Sequence, residues 1–196
     1  MLLDTKLFLV KERVAVLKIV DTYDIFDAET GKQIGLAKEE PPAWVQVLRF
    51  FVNKQLLPTK VSLYEEPGHK AIFSIHRPVS FLRSTVKVTD GSGNQIGYFK
   101  SKAFSLGGRF SVFDTSGRQV ADIKGDWKGW NFKFLTTDGR ELGQVTKKWA
   151  GIAKELFTSA DNYVVSVHES LSSEPVAKIL LLAAALAVDI VYKERR

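Results

Sequence analysis

Apolar and polar residues alternate along most of this chain in short runs, and the runs are broken by a recurring Asp or Thr followed by Gly. One unit reads Phe26-Asp27, then Gly31-Lys32-Gln33-Ile34-Gly35; another reads Val88-Thr89-Asp90, then Gly93-Asn94-Gln95-Ile96-Gly97. A third reads Phe113-Asp114, then Gly117-Arg118-Gln119-Val120-Ala121, and a fourth Leu135-Thr136, then Gly139-Arg140-Glu141-Leu142-Gly143. A degenerate fifth surrounds Glu65-Glu66-Pro67-Gly68. Alternations such as Val86-Lys87-Val88 and Phe132-Lys133-Phe134 lead in, the Asp or hydroxyl side chain bonds the turn backbone, Gly accepts a positive φ, and a second strand leads out. The Gly or Ala closing each unit suits close backbone approach or bending. Five hairpins, with further strands in the Leu7–Val20 region and at Asn162–His168, predict about a dozen strands, the number of a barrel or sandwich.

Two patterns depart from this period. Ala43–Lys54, after Pro41-Pro42, predicts a short amphipathic helix with Trp44, Val47, Leu48 and Phe51 on one face, expected to pack over a barrel end, with membrane contact as the alternative. Trp149–Phe157 predicts a second short helix. From Pro175 to about Lys193 a third helix is apolar on all sides between Ile179 and Val188 and is interrupted at Asp189. Its uninterrupted run is shorter than the ~20 residues of a membrane span, so it is expected inside the barrel. Ala183, Ala184, Ala185 and Ala187 would let the walls approach it. No transmembrane span is expected, and residues 1–196 read as one domain, without a linker long enough to divide them.

Composition narrows the chemistry. Hydrophobic residues make up 45% and charged residues 26%, an ordinary globular balance. Cys is 0, which excludes disulfides, thiolate metal sites, cysteine nucleophiles and palmitoylation. The apolar stretches of Met1–Val20 are broken by Lys6, Lys11, Glu12, Arg13 and Lys18, unlike a signal peptide, so a cytoplasmic location is expected. The net charge of +6 favours an anionic partner such as lipid headgroups or nucleic acid.

His69, His76 and His168 are too dispersed for a metal spacing, and neither a Gly-x-Ser-x-Gly elbow nor a P-loop occurs. Gly107-Gly108 reads as a turn, and the pairs Glu39-Glu40 and Glu65-Glu66 as solvated loop acids. The chain therefore reads as non-enzymatic, with no cofactor and no catalytic or metal site. Basic residues crowd between the third hairpin unit and Trp149. Among them Lys124, Lys128, Lys147 and Lys148, interleaved with Trp127 and Trp130, form the candidate lipid-binding set. Cations beside indoles suit an anionic membrane interface and also single-stranded nucleic acid; the structural alternative is that Trp130 or Trp149 caps the barrel and the lysines are scattered.

One stretch has a family signature. Gly143-x-x-x-x-Lys148-Trp149-Ala150-Gly151-x-x-x-Glu155-x-Phe157-Thr158-x-Ala160-Asp161-Asn162-Tyr163 resembles the C-terminal region of phospholipid scramblases. Leu180-Leu181-Leu182-Ala183 and Asp189-Ile190-Val191-Tyr192 resemble that family's terminal helix. Ile123-Lys124-Gly125-Asp126-Trp127, followed by Phe132-Lys133-Phe134, is similar to the LURP-one-related group, and Tyr23-Asp24-Ile25-Phe26-Asp27 fits both. The resemblance implies a tubby C-terminal-like fold, a closed twelve-stranded β-barrel around a buried hydrophobic C-terminal helix. It implies association with phospholipid. Scramblases also have a proline-rich leader, an acylated cysteine cluster and a calcium-loop-like segment. Here the corresponding loop, Ser159, Asp161, Tyr163, Val165, Val167 and Ser170, has Ser at both ends, where acids are wanted, and calcium binding is not expected. The expected function is association with anionic phospholipid or membrane surfaces. The alternative is a nucleic-acid-binding or protein-interaction module on the same barrel.

Overall fold

The computed structural model describes residues 2–13, 20–52, 56–65, 69–79, 85–101, 109–126, 130–147, 162–171 and 174–193. Twelve strands occur in chain order: β1 (Leu7–Glu12), β2 (Thr22–Asp27), β3 (Gln33–Glu39), β4 (Thr59–Tyr64), β5 (Phe73–Arg77), β6 (Thr85–Asp90), β7 (Gln95–Ser101), β8 (Arg109–Phe113), β9 (Gln119–Asp126), β10 (Asn131–Thr136), β11 (Glu141–Thr146) and β12 (Tyr163–Val167). Helix α1 (Ala43–Leu48) lies between β3 and β4, and α2 (Pro175–Lys193) follows β12. Each strand pairs antiparallel with its chain neighbours, and β1 pairs with β12 to close the barrel. Closure leaves no strand edge exposed.

Four hairpin units form with the turn chemistry the sequence implies, and β4 pairs with β5 about the fifth, whose turn residues 66–68 lie outside the described residues. Asp90 Oδ1 accepts hydrogen bonds from the backbone N–H groups of Ser92 and Asn94 at 2.8 and 2.9 Å, and Asp114 Oδ1 accepts from Ser116 and Arg118 at 2.9 and 3.0 Å. Gly93 and Gly117 take φ of 88° and 84°, where a side chain would be strained. A register shift follows each of four turns, and the Gly or Ala closing the unit comes just after it, as at Phe134 opposite Gly143. Gly143 leaves room for its neighbours: a Cβ there would lie 2.3 Å from the Ser166 carbonyl oxygen and 2.6 Å from Leu181 of α2.

Helix α2 runs through the barrel. It packs against β12 and also against β6, six places round the twelve-stranded ring and therefore across the lumen. Every residue from Ile179 to Val188 is at most 9% exposed. Inward-facing positions such as Val86, Val88, Phe132 and Phe134 surround it, while Lys87 and Lys133 between them face out. Two charged residues are enclosed with the helix: Lys178 near its start and Asp189 near its end. Among the described residues no helix is long and apolar enough to cross a membrane.

Helix α1 corrects an expectation. The face made by Trp44, Val47, Leu48 and Phe51 does not pack over the barrel end: Trp44, Val47 and Phe51 are exposed and only Leu48 is partly covered. Val45 is buried instead, and Arg49, one turn on, reaches inward to Glu39. A helix of six residues is rotated by its strongest anchor rather than by its apolar stripe. Here that anchor is a buried, two-pronged guanidinium–carboxylate pair. The helix expected at Trp149–Phe157 lies outside the described residues.

Candidate functional site

The two ends of the barrel differ. One end holds the tight turns at Asp27–Lys32, Asp90–Asn94, Asp114–Arg118 and Thr136–Arg140. The other holds α1, the starts of β8 and β10 and the ends of β9 and β11. Of the candidate residues, Lys124, Trp130 and Lys147 belong to this second end.

Lys124 lies near the end of β9 on the outer wall, directly opposite Arg109 of β8 on one side and Lys133 of β10 on the other. All three side chains are exposed. Residues opposed across antiparallel strands have Cβ atoms ~5 Å apart, and like charges so placed repel. Lys133 is relieved by an ion pair with Glu141 at 2.8 Å. Asp122 and Asp126 flank Lys124 on the same face, and Asp122 accepts a hydrogen bond from Ser111 at 2.9 Å. Lys124 itself makes no ion pair among the described residues. The row thus presents a line of cations with a central member open to an external anion.

Trp130 and Lys147 meet at the adjoining mouth. Trp130 takes a left-handed backbone, φ 49°, and its indole is 9% exposed, packed against Tyr163 (ring centroids 5.0 Å apart) and edge-on to Phe132 (5.8 Å). Lys147 Nζ caps the indole, 4.7 Å from the ring centroid. Trp130 is therefore a core residue that positions a cation. Tyr23 and Tyr163 lie beside Asp189 of α2. Burial, and then the Asp189 charge, hold both phenols well above their ordinary pKa, so both remain protonated. Trp127, Lys128 and Lys148 lie outside the described residues.

A second row of basic residues escaped the reading of the sequence. Lys60 of β4, His76 of β5 and Lys87 of β6 are opposed in register on the outer wall and line a shallow depression with Ser74 and Thr89. His76 Nε2 lies 3.3 Å from Thr89 Oγ1. Partial burial, then the Lys60 and Lys87 charges, lower the His76 pKa, so its ring is neutral at pH 7. Three successive strands supply these residues, and their register brings them into line. Of the positions in the calcium-loop-like segment, Tyr163, Val165 and Val167 are buried in β12, and Ser170 Oγ pairs with His168 Nδ1 at 3.0 Å. Ser159 and Asp161 lie outside the described residues. Among the described residues no group of acids and histidines is arranged to hold a metal ion.

A search of curated proteins finds no significant match to this sequence. A family model described as Scramblase matches residues 20–195, nearly the whole chain, from β2 to the end of α2. With its closed barrel, its enclosed terminal helix and this match along both, the chain belongs to the Scramblase family.

Proposed function

We propose that this chain is a non-enzymatic, scramblase-like protein that associates with anionic phospholipid at the cytoplasmic membrane surface. The observation that carries the reading is the Arg109–Lys124–Lys133 row. The three stand side by side on the outer wall, and Lys124 at their centre is open to an anionic headgroup. Lys147, fixed over Trp130, adds a fourth cation at the same end. Lys128 and Lys148 adjoin these residues in sequence, as does Trp127, and complete the proposed set. Family membership and the net charge of +6 support the same reading.

Flotation with neutral and anionic vesicles tests it. Binding is expected to require anionic lipid, with each Lys or Arg near the surface contributing ~1 kcal/mol. It should weaken as the Debye length falls from ~10 Å at 0.1 M salt to ~3 Å at 1 M. Reversing Lys124, Lys128, Lys147 and Lys148 to Glu should reduce binding far more than reversing Lys32 and Lys70 at the tight-turn end. A protein that ignores anionic vesicles at low salt yet shifts single-stranded nucleic acid would overturn the lipid reading.

A further inference from the structure

Helix α1 is mounted with its apolar side out. Trp44, Val47, Phe50 and Phe51 are 55%, 60%, 73% and 82% exposed. Leu56, before β4, and Val79, after β5, are exposed at the same end of the barrel, where Thr59 and Arg77 are opposed in register. Large apolar side chains so exposed stand proud of the surface, and a contiguous group of them marks an interaction site.

The mount is built rather than loose. Arg49 donates to both carboxylate oxygens of buried Glu39, at 3.1 Å for the Nη1 contact, and Glu39 also accepts from the backbone N–H of Asp21 at 3.1 Å. Val45 is fully buried on the same helical face. Arg49 is thus used as a clamp, and the aromatic residues are left outside.

We propose that Trp44, Val47, Phe50 and Phe51 form an apolar crest that enters the headgroup–acyl boundary of an anionic bilayer, a contact that rests on the membrane reading above and deepens it. Charge and geometry favour a bilayer over other occupants. The crest stands on the β3–β4 side of the ring and the Arg109–Lys124–Lys133 row on the β8–β10 side, at the same end of the barrel. A broad anionic surface laid across that end meets both at once, whereas a compact ligand reaches one. Trp favours headgroup depth and Phe the acyl boundary. The combination of inserted apolar residues and surface cations gives the two signals that stable peripheral attachment requires.

The test compares the wild-type chain with Phe50→Ser/Phe51→Ser and with Lys124→Glu/Lys133→Glu on vesicles of phosphatidylcholine with and without phosphatidylserine. Both phenylalanines are mostly exposed, so the first variant should keep the wild-type melting temperature. It is expected to lose at least about tenfold in vesicle affinity, while its residual binding stays salt-sensitive. Acyl-brominated lipid should quench wild-type tryptophan fluorescence, and Trp44→Phe should remove most of that quenching. Salt-sensitive wild-type binding that the Phe50/Phe51 variant retains in full, with no acyl quenching, would overturn the crest and leave the charge reading standing. Absence of any vesicle binding by the wild type would overturn both. A change in sedimentation without a change in vesicle affinity would assign the crest to self-association instead.

Discussion

Lys178 Nζ donates a 2.6 Å hydrogen bond to the backbone carbonyl of Leu3, tying α2 to the chain start across 175 residues of sequence. The ammonium group is taken out of water at the base of the helix, where Lys178 is 3% exposed. Lys178→Met keeps the apolar stem and removes the donor. It is expected to cost ~1.5–3 kcal/mol, the range for a hydrogen bond involving a charged group, read as a lower thermal midpoint with the β-sheet signal intact below it.

The Arg49–Glu39 pair predicts an asymmetry. Arg49→Ala leaves the Glu39 carboxylate enclosed without its guanidinium and should cost ~3–5 kcal/mol. Replacing both by apolar residues of similar volume should cost much less. Denaturant melts of the two single variants and the double variant measure the coupling. A near-additive cycle would show that the pair is not what holds α1.

Gly143 faces both a neighbouring strand and the helix. Gly143→Ala adds a methyl group where the Ser166 carbonyl and Leu181 already stand, at 2.3 and 2.6 Å. The wall must shift away from α2, at an expected cost of ~1–3 kcal/mol. Gly31→Ala is a control of another kind: no atom lies within 4 Å of the added group, but φ is 70°, so its cost is backbone strain alone. Chemical denaturation separates the two, and combining Gly143→Ala with Leu181→Ala should recover part of the first loss.

The turn aspartates predict a pH dependence. The backbone N–H of Asn94, with help from Ser92 and Gly93, lowers the Asp90 pKa. The Ser116 hydroxyl, then Arg118, lowers that of Asp114. Backbone N–H groups, led by that of Thr30, do the same for Asp27. A carboxyl whose folded pKa is depressed adds stability above its unfolded value and loses it as pH falls through the folded one. Stability should therefore decline as pH drops below about 4. Asp90→Asn/Asp114→Asn should flatten that decline while lowering stability at neutral pH. Denaturant midpoints between pH 6 and pH 2 check both.

The strands, the five hairpins and the terminal helix were legible in the residues because each depends on neighbours close in sequence. Alternation sets which side chains face in, and Asp90 or Asp114 finds its partners within four residues. An all-apolar run interrupted only at Asp189 has one stable place, the interior of the barrel. The candidate site was legible only in part. The density of Lys and Arg after the third hairpin was visible, but not which of them would stand in line. Arg109, Lys124 and Lys133 become neighbours through register across three strands, as do Lys60, His76 and Lys87. Sequence left the indole of Trp130 open between a lipid interface and a cap on the barrel, and contacts with Tyr163 and Phe132 enclose it.

Helix α1 marks the boundary most sharply. By itself the sequence determined a short helix with Trp44, Val47, Leu48 and Phe51 on one side, and local periodicity argues that such a side faces the core. Only the tertiary structure decided the rotation, because it brings Glu39 from the end of β3 to a buried position within reach of Arg49. Once Glu39 is buried there its carboxylate must keep a partner, so the helix turns Val45 and Arg49 inward and leaves the aromatic side chains outside.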